Sequence, residues 1–249
     1  MKNCVRSAKP GPAATAVLAF LGLAAGCLVG APVLSSPPAP SASPNLTPIV
    51  CCAGDSLMRP IPTRLYELTR FSPGSLILKN WAQGGLSSET FLSFFDRSAA
   101  AWILVRPDII LLQLGTNDAR PLLEGRLRPD EFERNIRAIT RRFREFRDRT
   151  GRPPRILLAS APPFRDPDAE AKNEILLKII NPALRRLAGD EGLTFVDNHA
   201  ILDGRPDLYD PDGVHPNPHG EKRLARHWLH WIREALKSTW RGSPLPTGP

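Results

Sequence analysis

The sequence predicts an α/β fold, a three-layer α/β/α sandwich built on a five-stranded parallel sheet. Three observations carry that expectation. Five short apolar runs alternate with longer amphipathic stretches between residues 49 and 237, and parallel neighbours need such long crossovers. The run Asp108-Ile109-Ile110-Leu111-Leu112-Gln113-Leu114 is apolar almost without a break, which suits a central strand covered on both faces. The loops that follow the runs are rich in Gly, Ser, Asn and Asp, and open parallel sheets hold their ligand sites at the strand C-termini.

The first strand is Ile49-Val50-Cys51-Cys52-Ala53, closed by Gly54, with Asp55-Ser56-Leu57 beyond it. Residues 59–71 carry Ile61, Leu65, Leu68 and Phe71 at helical spacing, and Ser72-Pro73-Gly74 breaks the pattern. Residues 76–81 read as a second strand, followed by Ala82-Gln83-Gly84-Gly85. Residues 88–105 read as a helix with Phe91, Phe94, Phe95, Ala101, Trp102 and Val105 on one face. After the third strand, residues 130–150 form the strongest amphipathic pattern. Phe132, Ile136, Ile139, Phe143 and Phe146 fall at alternating steps of four and three, with arginines and acids opposite. Residues 155–161 are the fourth strand. Residues 169–188 are a helix that Pro182 kinks or restarts, and residues 193–196 are the last strand. A turn-rich loop over 198–216 leads to a terminal helix over 218–237.

The expected organisation is a leader over 1–34, a Pro/Ser/Ala-rich linker over 35–46, one folded domain over 47–240 and a disordered tail over 241–249. Lys2, Arg6 and Lys9 precede an apolar stretch from Ala13 to Leu34. A positive flank before an apolar run reads as a signal peptide or an N-terminal membrane anchor, with the remainder outside the cytoplasm. Leu23-Ala24-Ala25-Gly26-Cys27 offers a third fate, lipidation at Cys27, although its Leu falls one position early for a lipobox. Each of the last two gives a route to membrane attachment.

The chain is basic, with net charge +8. Its arginines are dispersed along helix faces without an interleaved aromatic stripe, so no nucleic-acid partner is expected. Cys51 and Cys52 are adjacent in a strand and point to opposite faces. They read as two buried free thiols, and no cysteine spacing suggests zinc or a disulfide framework.

The strand-end loops hold Ser56, Gly84-Gly85, Gly115-Thr116-Asn117-Asp118 and Asp212-Gly213-Val214-His215. A serine hydroxyl is a poor nucleophile unless a base takes its proton, and the base needs an orienting acceptor. His215 is the candidate base, with Asp212 three residues earlier to orient it. Gly84 or Gly85 offers an unshielded backbone N–H, and Asn117 an amide, for a developing oxyanion. Each residue also fits a plainer role. Asp55 or Ser56 caps a helix, the glycine pairs close turns, and Asp212-Gly213 is a common turn pair. His199 closes a loop, His219 lies close to the site at the start of the last helix, and His227 and His230 pack on it. Phe164 and Arg165, after the fourth strand, reach the crevice edge.

Four blocks in order resemble the SGNH hydrolases, also called GDSL esterases and lipases. Gly54-Asp55-Ser56-Leu57 matches the nucleophile block. Asn80 followed by Gly85 matches the glycine block, Gly115-Thr116-Asn117-Asp118 the asparagine block, and Asp212-Gly213-Val214-His215-Pro216 the Asp-x-x-His block. The resemblance runs from Ile49 to the final helix and implies the flavodoxin-like SGNH hydrolase fold. It implies Ser56, Asp212 and His215 as catalytic triad, and the Ser56 and Gly85 backbone N–H groups with the Asn117 side chain as oxyanion hole. It implies no metal and no organic cofactor. Residues Leu86-Ser87 depart from the acidic residue and threonine that many members carry, which bears on the pocket wall. The expected activity is hydrolysis of short acyl esters through an acyl-enzyme, on a small molecule or a carbohydrate. The alternatives are transfer of the same acyl group to a glycan hydroxyl, or a non-catalytic glycan-binding surface protein.

Overall fold

The computed structural model describes residues 46–70 and 75–240. The expected leader, the linker except for Leu46, Phe71 at the end of the first expected helix, the 72–74 break and the tail lie outside the described residues. Among the described residues no helix is long and apolar enough to cross a membrane.

Five strands form one sheet: β1 (Ile49–Gly54), β2 (Ile77–Ala82), β3 (Ile109–Gln113), β4 (Arg155–Ala159) and β5 (Thr194–Val196). The order is β2-β1-β3-β4-β5 and every pairing is parallel. The helices are α1 (Ile61–Thr69), α2 (Ser88–Ile103), α3 (Ala119–Leu123), α4 (Pro129–Arg144), α5 (Ala169–Ile175), α6 (Asn181–Asp190), α7 (Asn198–Leu202) and α8 (Pro218–Trp240). The chain moves outward from β1 in one direction to β2 and in the other through β3 to β5. The connections therefore diverge between β1 and β3, and the loops after those two strands flank a crevice.

The continuous apolar strands have a structural cause. The sheet is covered on both faces, and β1 and β3 are buried along their whole length. Cys51 and Ala53 join one core with Phe91, Phe132 and Phe143, whereas Val50 and Cys52 join the other with Ile61, Leu65 and Trp228. Burial pushes both thiols well above the usual range, so each stays protonated and packs as a small apolar group. In the first core Trp81 stacks on Trp102 at 4.6 Å between ring centroids, and Phe95 tilts against Phe143 at 4.9 Å. In the second, α8 packs on α1, and Arg64 donates to Glu221 across that contact at 2.9 Å.

The structure corrects three element readings and bears out a fourth, the helix restart at Pro182. The helix expected over 130–150 ends at Arg144. Beyond it the buried Asp148 carboxylate accepts from the amides of Thr150 and Arg152 and from the Thr150 hydroxyl. That turn replaces helical hydrogen bonding, yet Phe146 still reaches the core at the position its spacing implied. The 169–188 stretch is two α-helices joined by one π turn, Leu176–Ile180, and α6 restarts at Asn181 with Pro182 in its first turn. A proline there has no N–H to leave unsatisfied. The loop expected over 198–216 contains α7, a 3₁₀ turn at Pro206–Leu208 and a bridge between Tyr209 and Pro216. A further 3₁₀ turn, Thr116–Asp118, leads into α3.

Candidate active site

β1 ends at Gly54, whose position admits no other residue comfortably. Its φ is +150°, and a Cβ there would lie 2.1 Å from the Gln113 carbonyl oxygen of the neighbouring strand. The chain then turns tightly. Met58 N–H donates to the Asp55 carbonyl at 3.2 Å, Arg59 N–H to the Ser56 carbonyl at 3.3 Å, and the Asp55 carboxylate accepts the Leu57 N–H at 2.9 Å. These bonds leave Ser56 half-buried, with its side chain facing the crevice.

The second participant comes from the far end of the chain. Asp212, Gly213, Val214 and His215 form a turn in which Asp212 Oδ1 accepts the N–H groups of both Val214 and His215 at 2.9 Å. Gly213 meets the β4–α5 loop closely. Its carbonyl accepts the Arg165 N–H at 2.6 Å, and a Cβ on it would lie 2.3 Å from the Asp166 nitrogen. Its φ of +67° also favours glycine.

The triad candidates form one hydrogen-bonded chain. His215 Nε2 lies 2.9 Å from Ser56 Oγ, and His215 Nδ1 lies 2.7 Å from Asp212 Oδ2. With the ring proton on Nδ1, donated to Asp212, Nε2 is free to accept from the serine hydroxyl. Slight desolvation would raise the Asp212 carboxyl, but the amides of His215 and Val214 and the imidazole outweigh it and hold the group at about 2. Asp212 is therefore a carboxylate near neutral pH. The site is open, with the His215 and Asp212 side chains 42% and 50% exposed.

Three N–H donors on these loops lack acceptors among the described residues. The backbone N–H groups of Ser56 and Gly85 have none, and nothing stands within 4 Å of the point a Gly85 Cβ would occupy. The Asn117 amide donates one N–H to the Leu86 carbonyl at 3.0 Å, which places it against the glycine segment and leaves its second N–H available. Asn80 anchors the segment from the other side. Its Nδ2 donates to the Arg59 carbonyl and its Oδ1 accepts from the Ala82 N–H, each at 3.0 Å.

Asp118 and Ser88 were not among the residues singled out from the sequence. The buried Asp118 carboxylate accepts the Ser88 N–H at 3.0 Å on both oxygens and the Ser88 hydroxyl at 2.7 Å. It ties the first turn of α2, which follows Gly85, to the loop that carries Asn117. Burial raises its carboxyl to about 6 despite those donors. Asp55 is also fully buried, and burial raises it to about 7. The Thr116 hydroxyl stands beside it without hydrogen-bonding geometry. In the sequence both acids stand inside motif blocks, Gly54-Asp55-Ser56-Leu57 and Gly115-Thr116-Asn117-Asp118, but neither carries a signal there beyond a turn or a cap.

The remaining candidates fall outside the triad. Phe164 is buried, with the Lys172 ammonium 4.6 Å above its ring. Arg165 braces the Gly213 turn through its N–H on the Gly213 carbonyl. His199 Nδ1 lies 3.1 Å from the Ala161 carbonyl at the start of α7. His219 is exposed, with its N–H on the Asn217 side chain at 3.0 Å. His227 and His230 pack edge-on against Trp231.

A family model described as GDSL-like Lipase/Acylhydrolase matches residues 52–223. An acetylxylan esterase of Xylanibacter ruminicola is 26% identical over 160 residues, covering 57% of this chain and 33% of the relative. A multidomain esterase of Ruminococcus flavefaciens is 30% identical over 146 residues, covering 57% of this chain and 17% of the relative. The chain thus spans about a third or less of the curated relatives it matches. Among solved structures, the lipase/acylhydrolase from Enterococcus faecalis superposes with a TM-score of 0.62 at 16% identity, covering 75% of this chain and 96% of that one. The acetylxylan esterase from Geobacillus stearothermophilus gives 0.58 at 16% identity, covering 74% and 94%.

Proposed function

Since the chain belongs to the GDSL-like lipase/acylhydrolase family, we propose that it is a serine esterase that removes short acyl groups, acetyl above all, from carbohydrate esters. The observation that carries this reading is the unbroken chain Ser56 Oγ–His215 Nε2 and His215 Nδ1–Asp212 Oδ2. A turn or a binding surface needs no such chain. In the proposed mechanism Ser56 Oγ attacks the ester carbonyl as His215 Nε2 takes its proton. Asp212 holds the ring and stabilises the imidazolium. The Ser56 and Gly85 N–H groups and the Asn117 amide receive the oxyanion. His215 returns the proton to the leaving alcohol, then activates a water that releases the acid from Ser56.

The openness of the site supports both the substrate class and the outcome. Exposed His215 and Asp212 side chains fit a bulky polysaccharide carrying a small acyl group better than a long acyl chain, which needs an enclosed apolar slot. The same exposure gives water access to the acyl-enzyme, which favours hydrolysis over transfer to a second alcohol. The relatives named as acetylxylan esterases agree with an acetylated carbohydrate. We place the activity outside the cytoplasm, in a domain over 47–240 behind the leader and linker read from the sequence.

A p-nitrophenyl acyl series from acetyl to long chain tests the reading. Wild type should turn over the short esters best, Ser56→Ala should abolish turnover with the fold intact, and a serine-reactive phosphonate should label Ser56 alone. Turnover retained in Ser56→Ala, or labelling elsewhere, overturns it.

A further inference from the structure

Arg59 lies three residues after the proposed nucleophile, and its backbone is fixed at both ends. Its N–H donates to the Ser56 carbonyl at 3.3 Å, and its carbonyl accepts from Asn80 at 3.0 Å. Pro60 follows and restricts it further. The side chain reaches back over the glycine segment. Arg59 Nη1 and Ser56 Cβ are each 3.8 Å from the point a Gly84 Cβ would occupy. The guanidinium and the nucleophile are thus at most twice that distance apart, and the floor between them is Gly84, which has no side chain to fill the gap. Arg59, Gly84 and Gly85 are all exposed, so a substrate seated on Ser56 has open space beside a cation.

That cation has no partner of its own among the described residues. Two other arginines near these loops are paired, Arg165 with Asp203 and Arg120 with Asp168. Arg59 makes no side-chain hydrogen bond or ion pair among the described residues. The carboxylate nearest the chemistry, Asp212, is committed to His215. An unpaired guanidinium at an open site offers a planar fork that fits a carboxylate bidentately.

We infer that Arg59 and the bare floor at Gly84 form an anion subsite, and that the preferred substrate carries a carboxylate a few bonds from the scissile ester. The inference rests on the esterase reading of Ser56. The carboxylate has two sources: the acyl group, as in a dicarboxylic half-ester, or the alcohol, as in an acetylated uronic acid. Which of them lies toward Arg59 is for the experiment to divide.

The test measures kcat/KM of the full protein on matched anionic and neutral pairs. One arm compares p-nitrophenyl hemisuccinate with p-nitrophenyl butyrate, and the other an acetylated methyl glucuronoside with the acetylated methyl glucoside. The variants are Arg59→Gln, Arg59→Lys and Arg141→Gln. Arg141 is exposed on α4, so its loss lowers net charge equally without altering the site. Arg59→Gln should lower the anionic-to-neutral ratio about fivefold in one arm, the size expected of a largely exposed ion pair. The loss should fall mainly on KM. Arg59→Lys should recover part of it, added salt should shrink it, and Arg141→Gln should leave the ratio alone. The arm that responds identifies the source. A ratio unmoved by Arg59→Gln in both arms, or moved equally by Arg141→Gln, overturns the subsite while ester hydrolysis stands. Wild type inert on all four esters overturns the esterase reading and the subsite with it.

Discussion

In the mechanism proposed above, Asn117 divides its amide between two tasks. One N–H is held by the Leu86 carbonyl at 3.0 Å, and that bond aims the other. Asn117→Ala removes a donor and frees the glycine segment at once. Turnover of a short ester should fall by about 10²–10³-fold, the range for loss of one oxyanion donor, with KM little changed. A loss confined to KM would mark Asn117 as a binding residue only. Gly213 makes a different residue-scale case. Both its φ of +67° and the Asp166 nitrogen 2.3 Å from a would-be Cβ exclude a side chain. Gly213→Ala should therefore displace the turn that sets His215 against Ser56. Activity should drop at least tenfold with a melting temperature lowered by only a few degrees, as read by ester turnover and thermal denaturation on the same samples.

At the scale of elements, the central strands β1, β3 and β4 were legible because they are covered on both faces, and continuous apolar runs record that burial directly, whereas the edge strand β2 is mostly exposed. Apart from the end of α4, observed ends differ from the expected ones by three residues or fewer, as helix and strand termini do. Less legible were segments whose shape is set by side-chain hydrogen bonds. The end of α4 depends on Asp148, an acid in an arginine-rich stretch that apolar periodicity does not mark. Helices α3 and α7 have five residues each, too short to display a period. The four motif loops were legible as chemistry, since their residue types are unusual together, but the Asp118–Ser88 tie between two of them was not. That tie yields a prediction. Asp118→Ala should release the first turn of α2 and with it Gly85, lowering kcat more than it raises KM, whereas Asp118→Asn should retain part of the activity. Equal kcat loss in both variants would remove hydrogen bonding as the cause. In the aromatic core, Phe143→Ala should cost about 3–5 kcal/mol by chemical denaturation, because Phe143 is fully buried against Trp81, Phe91, Phe95 and Phe146.

Across the whole molecule, buried acids set a pH dependence. Asp55, raised by burial to about 7, binds its proton more tightly in the folded state than in the unfolded chain, where an Asp titrates near ~4. Its contribution is complete below that unfolded value and is lost as pH rises through the folded one. Asp118, raised to about 6, acts in the same direction. Asp212 runs the opposite way. Held at about 2, its contribution is present above the unfolded value and is lost as pH falls toward 2. Comparing wild type with Asp55→Asn cancels every other group. The melting temperature of the variant should gain on that of wild type between pH ~4 and pH ~7.5, and a constant difference across that window would remove Asp55 as the source.

Ser56 and His215 are 159 residues apart in sequence yet share a hydrogen bond, and α8, which follows the histidine turn, packs on α1, which follows the serine turn. The two halves of the reactive centre therefore belong to opposite ends of the synthesised domain. A ribosome-bound or truncated chain that stops before the histidine turn can form its nucleophile strand and still lack a base. Chemical competence is thus acquired at the final step of assembly, and recovery of ester turnover after dilution from denaturant should lag the return of helical ellipticity.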